Sequence, residues 1–175
     1  MTANTSSIPP LSLSYLAWFE GEDAAEDSGL GCNRDYRDLR AMSSADLRRV
    51  IRAEANLIDQ VLEGGLNDGA FEMGPDWQLE VEELELGTAS AVVALSVIGC
   101  IPYTSCNGGV FGGTHAADRL MVGFYMRPAH VEIVREASRS AGVGLTNDRC
   151  GGVYVVADDP RSMIAFAVKL GGLVD

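Results

Sequence analysis

The chain has 175 residues, of which 47% are hydrophobic and 22% are charged, and 25 acidic residues against 13 basic ones give a net charge of −12. A chain of this size and composition can bury the core of one globular domain, and it is unlike disordered, collagen-like or membrane proteins. The negative charge excludes duplex nucleic acid as a partner, because phosphate binding requires a clustered basic surface. The acidic stretches around the arginines between Arg34 and Arg52 favour a solvated, ion-paired helix face there over an anion or RNA patch.

The N-terminal residues predict a tail and a cytoplasmic protein. Residues 1–10 are polar and end in two prolines, so we expect a flexible tail before a single domain that spans residues 11–175. The tail lacks the basic start and the apolar stretch of a signal peptide. We therefore expect a cytoplasmic location, reduced cysteines and a chain that is a monomer or homodimer. Ser12–Phe19 is expected to form a short helix that docks on the core.

The first well-marked helix follows residue 43. Ser43 and Asp46 form the signature of a capping box, and apolar residues then recur at helical spacing until Gly64–Gly65. The acidic segment Trp77–Leu86 first alternates as a strand and then shifts its apolar residues to the other face at Glu82–Glu83. This pattern favours a bulged edge strand with its glutamates outward over a helix.

An uncharged segment, Gly87–Ala117, is expected to contain the core and the site of the protein. Its apolar stretch ends at Pro102 and is too short to cross a bilayer, so we expect no membrane as a partner. Thr88 is predicted to cap a helix that runs through Ile98, and an extended stretch should follow Pro102 and end at Cys106.

The C-terminal half predicts alternating strands and helices. In chain order these are a strand at Leu120–Met126, a helix from Pro128 to Gly142, a strand at Val153–Ala157 and a helix from Pro160 to Gly171–Gly172. With the uncharged helix and strand before them, they give the order α-β-β-α-β-α. We therefore predict an α+β fold with a mixed sheet, in which Leu120–Ala157 forms a βαβ unit with a right-handed crossover.

The loop after Tyr103 carries the densest set of candidate ligand-binding residues. Four glycines lie within six residues, and glycine allows the backbone to approach a ligand and to turn N–H groups toward an anion. The candidates for binding a cofactor or ligand are Ser105, Asn107, Gly108, Gly109, Gly112 and Gly113. The loop lacks the Lys-Ser/Thr pair of a phosphate-binding P-loop, and a purely structural connection between two strands is the alternative. If the loop binds a ligand, Gly108→Val is expected to abolish binding with little change in melting temperature.

Cys106 and His115 are the candidate catalytic residues. His115 lies nine residues after Cys106, close enough for a turn between strands to bring the imidazole to the thiol and activate it as a nucleophile. A buried, inert cysteine is the alternative. Cys100, Cys106, His115 and Cys150 also offer metal-binding atoms. Their spacing matches no recognised metal motif, so the sequence predicts no metal site.

A short segment of the loop resembles a known family. Tyr103-Thr104-Ser105-Cys106-Asn107-Gly108 is similar to the Tyr-Thr-(Thr)-Ser-Ser-Cys-Ser-Gly segment of the wybutosine-synthesis tRNA methyltransferase family. The predicted order that follows, up to Ala157, is also similar: a strand, a helix that ends in Ala-Gly, and another strand. The resemblance implies methyl transfer from S-adenosylmethionine to a modified guanosine of tRNA. Gly109 stands where that family has a basic residue.

The sequence leaves two classes of function open. The leading hypothesis is an α+β protein that binds a small molecule, with a nucleotide-like ligand among the candidates, at the Ser105–Gly109 loop. A transferase-like enzyme is one form of this hypothesis. The alternative is an acidic interaction, inhibitor or immunity-type protein that binds a basic protein, because acidic residues cluster at 20–27 and 72–85. The sequence identifies neither a cofactor nor a substrate.

Overall fold

The computed structural model describes residues 9–15, 39–64, 84–111, 115, 117–148 and 151–172. Its helices are α1 (Ser44–Gly64), α2 (Ala89–Val97), α3 (Val131–Ala141) and α4 (Pro160–Gly172), and its strands are β1 (Ile101–Cys106), β2 (Leu120–Tyr125), β3 (Gly144–Asn147) and β4 (Val153–Ala157). Short 3₁₀ turns lie at Leu13–Tyr15 and Pro128–His130. Residues 1–8 of the predicted tail, residues 16–19 of the predicted N-terminal helix and residues 77–83 of the predicted edge strand lie outside the described residues.

The boundaries of the helices follow the predicted local signals. At the start of α1, the N–H of Ser43 donates to Asp46 Oδ2 over 2.9 Å and the N–H of Asp46 donates to Ser43 Oγ over 3.2 Å. These two bonds form the predicted capping box and satisfy N–H groups for which the first helical turn has no partner. Gly142, with a φ of 71°, ends α3 in the left-handed conformation, as is common at helix ends.

The four strands form one sheet in the order β1-β2-β4-β3. The predicted α+β class is confirmed, but the predicted mixed sheet is not, because every adjacent pair in the described sheet is antiparallel. Helix α3 connects β2 to β3, and these two strands run in the same direction because each is antiparallel to β4, which lies between them. The connection is therefore a split βαβ unit, and not the predicted unit in which the helix leads directly to β4.

Strand β3 is the element that the sequence pattern does not predict. Its four residues, Gly-Leu-Thr-Asn, are all half-buried, so they do not show the apolar alternation of an inner strand. Leu145 lies opposite Val155 of β4 and packs against the main core. The spacing of Val143 and Leu145 on either side of a glycine is the only local indication of this strand.

One face of the sheet, which we call the inner face, is covered by helices. The inward residues of its two central strands are buried, namely Leu120, Val122 and Phe124 in β2 and Val153, Val155 and Ala157 in β4. Helices α2, α3 and α4 pack on the sheet, and α1 packs on α2 and α4. Burial of this apolar surface is the main term that stabilises such a fold. Within the described ranges, no helix is both long and apolar enough to cross a membrane.

Tyr103 lies across the opposite, outer face of the sheet. Its ring centre is 4.8 Å from that of Tyr125 and 6.4 Å from that of Tyr154. Its hydroxyl donates to Asp148 Oδ2 in the turn between β3 and β4. It passes over Gly123, where a Cβ would lie only 2.9 Å from Tyr103 Cε2. Burial, reinforced by the hydrogen bond to Asp148, raises the pKa of the Tyr103 hydroxyl.

The buried side of α1 contains a carboxylate. The apolar residues of this side recur at helical spacing and are Leu47, Val50, Ile58 and Val61. Glu54 lies in the middle of this row, and none of its surface is exposed. A carboxylate at such a position is costly unless hydrogen bonds replace the water that it loses.

The hydrogen bonds of Glu54 come from the N-terminus of α2. Oε1 accepts from the N–H groups of Gly87 and Ala89 over 2.8 and 3.0 Å. Oε2 accepts from the N–H of Ser90 over 2.8 Å and from the Ser90 hydroxyl. Burial raises the pKa of Glu54, and these four donors oppose the rise. Glu54 is therefore the cap of α2, although it belongs to another helix.

Thr88, the predicted cap of α2, has a different role. It occupies the N-cap position, but its side chain makes no capping hydrogen bond. Its hydroxyl donates instead to the backbone carbonyl of Glu85 over 3.0 Å. The prediction of a helix at this place is confirmed, whereas the prediction of its cap is wrong because a distant side chain supplies the acceptors.

Glu54→Gln is expected to lower the free energy of unfolding by about 1–3 kcal/mol, because the amide keeps one acceptor oxygen and turns an N–H₂ group toward the donors of α2. Urea unfolding followed by circular dichroism measures this loss. Glu63→Gln, at an exposed position of the same helix, is the matched control and should remain within about 0.5 kcal/mol of the wild type. Equal effects of the two substitutions would contradict the capping role of Glu54.

Candidate functional site

Strand β1 ends in a tight glycine turn. The carbonyl of Asn107 accepts from the N–H of Val110 over 3.2 Å, and Gly108 and Gly109 between them have φ values of 65° and 74°. Two consecutive residues in the left-handed region favour glycine at both positions. The turn begins directly after Cys106 and so determines how the chain leaves the strand.

Gly108 also lies against the backbone of Arg119. A Cβ on this glycine would lie 2.6 Å from both N and Cα of Arg119, closer than Cβ atoms approach other atoms. These are backbone atoms, which cannot move aside as the end of a flexible side chain can. The expectation that Gly108→Val affects binding but not stability is therefore wrong, because a side chain here strains the loop itself.

Three N–H groups of the turn, those of Asn107, Gly109 and Val110, already have acceptors within the protein. The N–H of Asn107 donates to Glu85 Oε2, and the N–H of Gly109 donates to Asn107 Oδ1 over 2.9 Å. The carboxylate of Glu85 also places a negative charge beside the turn, so the turn is poorly suited to an anion. The other predicted ligand-binding residues are Ser105, which is half-buried in β1, and Gly112 and Gly113, which lie outside the described residues.

The structure brings the two predicted catalytic residues together. Cys106 Sγ lies 3.6 Å from Nδ1 of His115. The exposed fractions are 8% for Cys106 and 6% for the His115 side chain, so water has little access to the pair. The catalytic role of the pair stays a prediction.

Glu85 joins this pair as a third group. Its Oε1 lies 3.4 Å from the same Nδ1 atom of His115. The nearest ligand atoms of Glu85, Cys106 and His115 all lie within 4.8 Å of one another. The other oxygen of Glu85 is bound by the N–H of Asn107, which fixes the carboxylate in this orientation. We refer to Glu85, Cys106 and His115 as the three-residue cluster.

The position of Glu85 corrects part of the sequence analysis, which predicts it on the outward side of an edge strand. At the described end of that segment, Leu86 is fully buried and Leu84 packs against the core, while the Glu85 carboxylate faces the end of β1. The inward position of Glu85 cannot be recognised from the sequence, because it belongs to a run of glutamates and such runs usually indicate a solvated surface. The available local signal is its place between two leucines and before Gly87.

Cys106 and Glu85 both contact the same nitrogen atom of His115. In a nucleophilic relay, the nucleophile and the orienting carboxylate hydrogen-bond to different nitrogens of the imidazole. Here Nδ1 either carries a proton that it donates to Glu85 or has a lone pair that accepts from the Cys106 thiol, and it cannot do both. The cluster therefore consists of groups that converge on one region and does not have the geometry of a relay.

The side chain of Asn107 supplies a buried donor. No part of the residue is exposed, and Oδ1 accepts from the N–H of Gly109. This bond fixes the orientation of the amide, since the flipped form would place Nδ2 against another donor. Nδ2 has no hydrogen-bond partner in the described part of the chain. Such an unpaired buried donor costs on the order of 1–3 kcal/mol.

A second cysteine-histidine pair lies elsewhere in the fold. Cys100 Sγ is 3.8 Å from Nδ1 of His130, an atom that also accepts from the N–H of Arg127. Burial raises the pKa of the Cys100 thiol; burial, with the charge of Arg127, lowers the pKa of His130. Neutral side chains suit a structural contact. Among the described residues, no third metal-binding group joins this pair, and Cys150 lies outside them.

No family model matches the chain, and no curated protein or solved structure matches it either. The resemblance of Tyr103–Gly108 to the wybutosine-synthesis tRNA methyltransferase family therefore stays a prediction.

Gly108→Ala is expected to destabilise the protein more than Gly142→Ala does. Both glycines have positive φ, so each alanine costs about 1–2 kcal/mol in backbone strain. An added Cβ has nothing within 4 Å at Gly142, whereas the contact with Arg119 at Gly108 adds about 1–3 kcal/mol of overpacking. Urea unfolding of both variants measures the difference. Equal losses would show that the contact with Arg119 relaxes without cost.

Proposed function

We propose that this protein binds a small uncharged ligand at the loop after β1 and that Asn107 recognises it. The observation that carries the proposal is the fully buried N–H₂ group of Asn107, which has no acceptor among the described residues. Buried polar groups of folded proteins nearly always have a partner. A ligand with a carbonyl oxygen or an unprotonated ring nitrogen supplies one.

The charges around the loop favour a ligand without negative charge. The carboxylate of Glu85 lies beside the turn, and the N–H groups of Asn107 and Gly109 are already engaged. A phosphate group would meet repulsion from this carboxylate and from a chain of net charge −12. Among the nucleotide-like ligands predicted from the sequence, we therefore favour nucleoside-like or base-like molecules that have no phosphate.

Cys106 and His115 give the proposed ligand site a reactive group. A thiol 3.6 Å from an imidazole nitrogen can transfer its proton to that nitrogen, and the resulting thiolate is the form that attacks an electrophile or binds a metal. This supports the transferase-like form of the ligand-binding hypothesis as an extension of the proposal.

The alternative hypothesis, an acidic interaction protein with a basic partner, also stays a prediction. Most of the acidic residues that motivate it, at 20–27 and 72–83, lie outside the described residues. No surface in the described part of the chain favours it over a ligand site.

A thermal-denaturation panel tests the ligand proposal. Uncharged bases, nucleosides and amides are compared with the corresponding phosphates, and S-adenosylmethionine is included because of the family resemblance. We expect at least one uncharged compound to raise the melting temperature, since a ligand at 100 times its Kd adds about 2.7 kcal/mol of stability. The phosphorylated forms of that compound should have a smaller effect.

Two asparagine variants make this test specific. Asn107→Asp retains the oxygen that binds Gly109 but replaces the donor with an acceptor, so the ligand-dependent rise should disappear. Asn147→Asp is the matched control, because the amide of Asn147 is fully paired with the backbone of Ser12. A wild-type protein that responds to no panel member, or only to the phosphates, would overturn the proposal.

A further inference from the structure

We propose that Glu85, Cys106 and His115 bind a divalent ion of the zinc class through Oε1, Sγ and Nδ1. This inference goes beyond the proposed ligand site and does not require that Asn107 binds anything. It starts from the convergence of three chemically different ligand atoms within 4.8 Å of one another.

Two of the three separations between these atoms match those around a tetrahedral zinc ion, and the third, from Cys106 Sγ to the Glu85 carboxylate, is at most 4.8 Å. With a Zn–S distance of about 2.3 Å and Zn–N and Zn–O distances of about 2.1 Å, tetrahedral angles place sulfur about 3.6 Å from nitrogen and nitrogen about 3.4 Å from oxygen. The cluster has 3.6 Å between Cys106 Sγ and His115 Nδ1, and 3.4 Å between that nitrogen and Glu85 Oε1. The two distances from the imidazole nitrogen are therefore those that a shared zinc ion requires.

Hydrogen bonds through Nδ1 of His115 cannot serve Cys106 and Glu85 in the same way at once. The single nitrogen Nδ1 has either one proton or one lone pair. If it donates to Glu85, the Cys106 thiol has no acceptor there, and if it accepts from the thiol, the carboxylate faces a nitrogen without a proton. A cation at the centre accepts a lone pair from each of the three atoms, so one ion can serve all three groups at once.

The set of ligands selects the class of metal. Thiolate and imidazole suit zinc and related transition metals, whereas magnesium and calcium prefer sites made entirely of oxygen. The carboxylate and the thiolate also neutralise the two positive charges of the ion. Binding breaks the S–H bond of Cys106, forms a metal–sulfur bond and releases the proton to solvent, so affinity should rise with pH.

The surrounding fold fixes two of the ligands. Cys106 lies at the end of β1, where it pairs with Met121 of β2. Glu85 Oε2 accepts from the backbone N–H of Asn107, and an outer bond of this kind orients a ligating carboxylate. Both positions therefore depend on the sheet and its following turn rather than on an exposed side chain.

Among the described residues the cluster has three protein ligands, which leave a fourth position of a tetrahedral ion for water or another small molecule. Structural zinc sites are usually closed by four protein ligands, often in closely spaced pairs, whereas catalytic sites keep one position open. With three ligands among the described residues, the cluster has the number of protein ligands that open sites have. Its ligands come from residues 85, 106 and 115, and this dispersed spacing explains why the sequence predicts no metal site.

The test uses the full chain, with any affinity tag removed, after reduction and treatment with a chelator. Titration with Co²⁺ should produce a thiolate-to-cobalt charge-transfer band and the visible bands of tetrahedral cobalt, which saturate at one ion per chain and disappear when Zn²⁺ is added. Elemental analysis of the reconstituted protein should find one zinc per chain. The sequence analysis predicts no metal site, and on that expectation neither the cobalt bands nor the bound zinc would be found.

A pair of cysteine variants provides the control. Cys106→Ser should remove the charge-transfer band and weaken zinc binding by more than the roughly 10- to 100-fold that loss of a supporting residue costs. Cys100→Ala removes the other described thiol that lies near a histidine and should leave the band unchanged. His115→Gln and Glu85→Gln should each weaken binding while circular dichroism shows a folded chain.

The outcomes are distinguishable from those of the ligand proposal, because cobalt binding is read without any ligand. No stoichiometric cobalt band in the wild-type protein, or a band that survives Cys106→Ser, would overturn the metal site. Asn107→Asp should retain the band while it loses the ligand-dependent rise in melting temperature. If the wild-type protein shows the cobalt band but no panel compound raises its melting temperature, the ligand proposal for Asn107 fails and the metal site stands.

Discussion

The arrangement of this protein depends on how the buried N-terminus of α2 finds hydrogen-bond acceptors. All residues of helix α2 from Ala89 to Ser96 are buried, so the N–H groups at its start cannot bond to water. Glu54 of α1 accepts from them with both oxygens. A carboxylate inside an apolar row is costly by itself, but here it replaces water for several donors at once. The same bonds fix α1 against α2.

This interaction extends to the candidate site through the chain. Gly87, which donates to Glu54, lies two residues after Glu85, whose carboxylate accepts from Asn107 at the end of β1. Helix α2 itself leads into β1, where Cys106 is the last residue. The carboxylate and the thiol of the cluster thus come from the two ends of one helix-strand unit. The segment from Glu85 to Ser90 thus binds the structural carboxylate of Glu54 and carries one ligand of the proposed metal site.

Local signals explain which parts of the molecule can be predicted from the sequence. The capping box at Ser43 and the glycine at residue 142 act over a few residues, and the helices that they bound are confirmed. Strand β3 and the split βαβ connection that leads to it depend on pairing with β4, and no local sequence pattern predicts that pairing. Cys106 and His115 can be recognised from the sequence because they are the reactive side chains of an uncharged segment. Glu85 cannot, because its acidic neighbours are typical of an exposed surface and only the structure shows that its carboxylate faces the end of β1. Glu54 is concealed for a different reason, because a single glutamate in a helix is typical of an exposed position.

Tyr103 has a consequence for the geometry of the cluster. It belongs to the same strand as Cys106, an edge strand with a bulge between Pro102 and Thr104, and edge strands can slide along their single neighbour. Its hydroxyl bond to Asp148 crosses β2 and β4 and so ties β1 to the far side of the sheet. A slip by one residue would turn Cys106 to the opposite face. The hydrogen bond of Tyr103 thus opposes a shift in the register of β1. The distance between Cys106 Sγ and His115 therefore depends partly on the Tyr103 side chain on the outer face of the sheet.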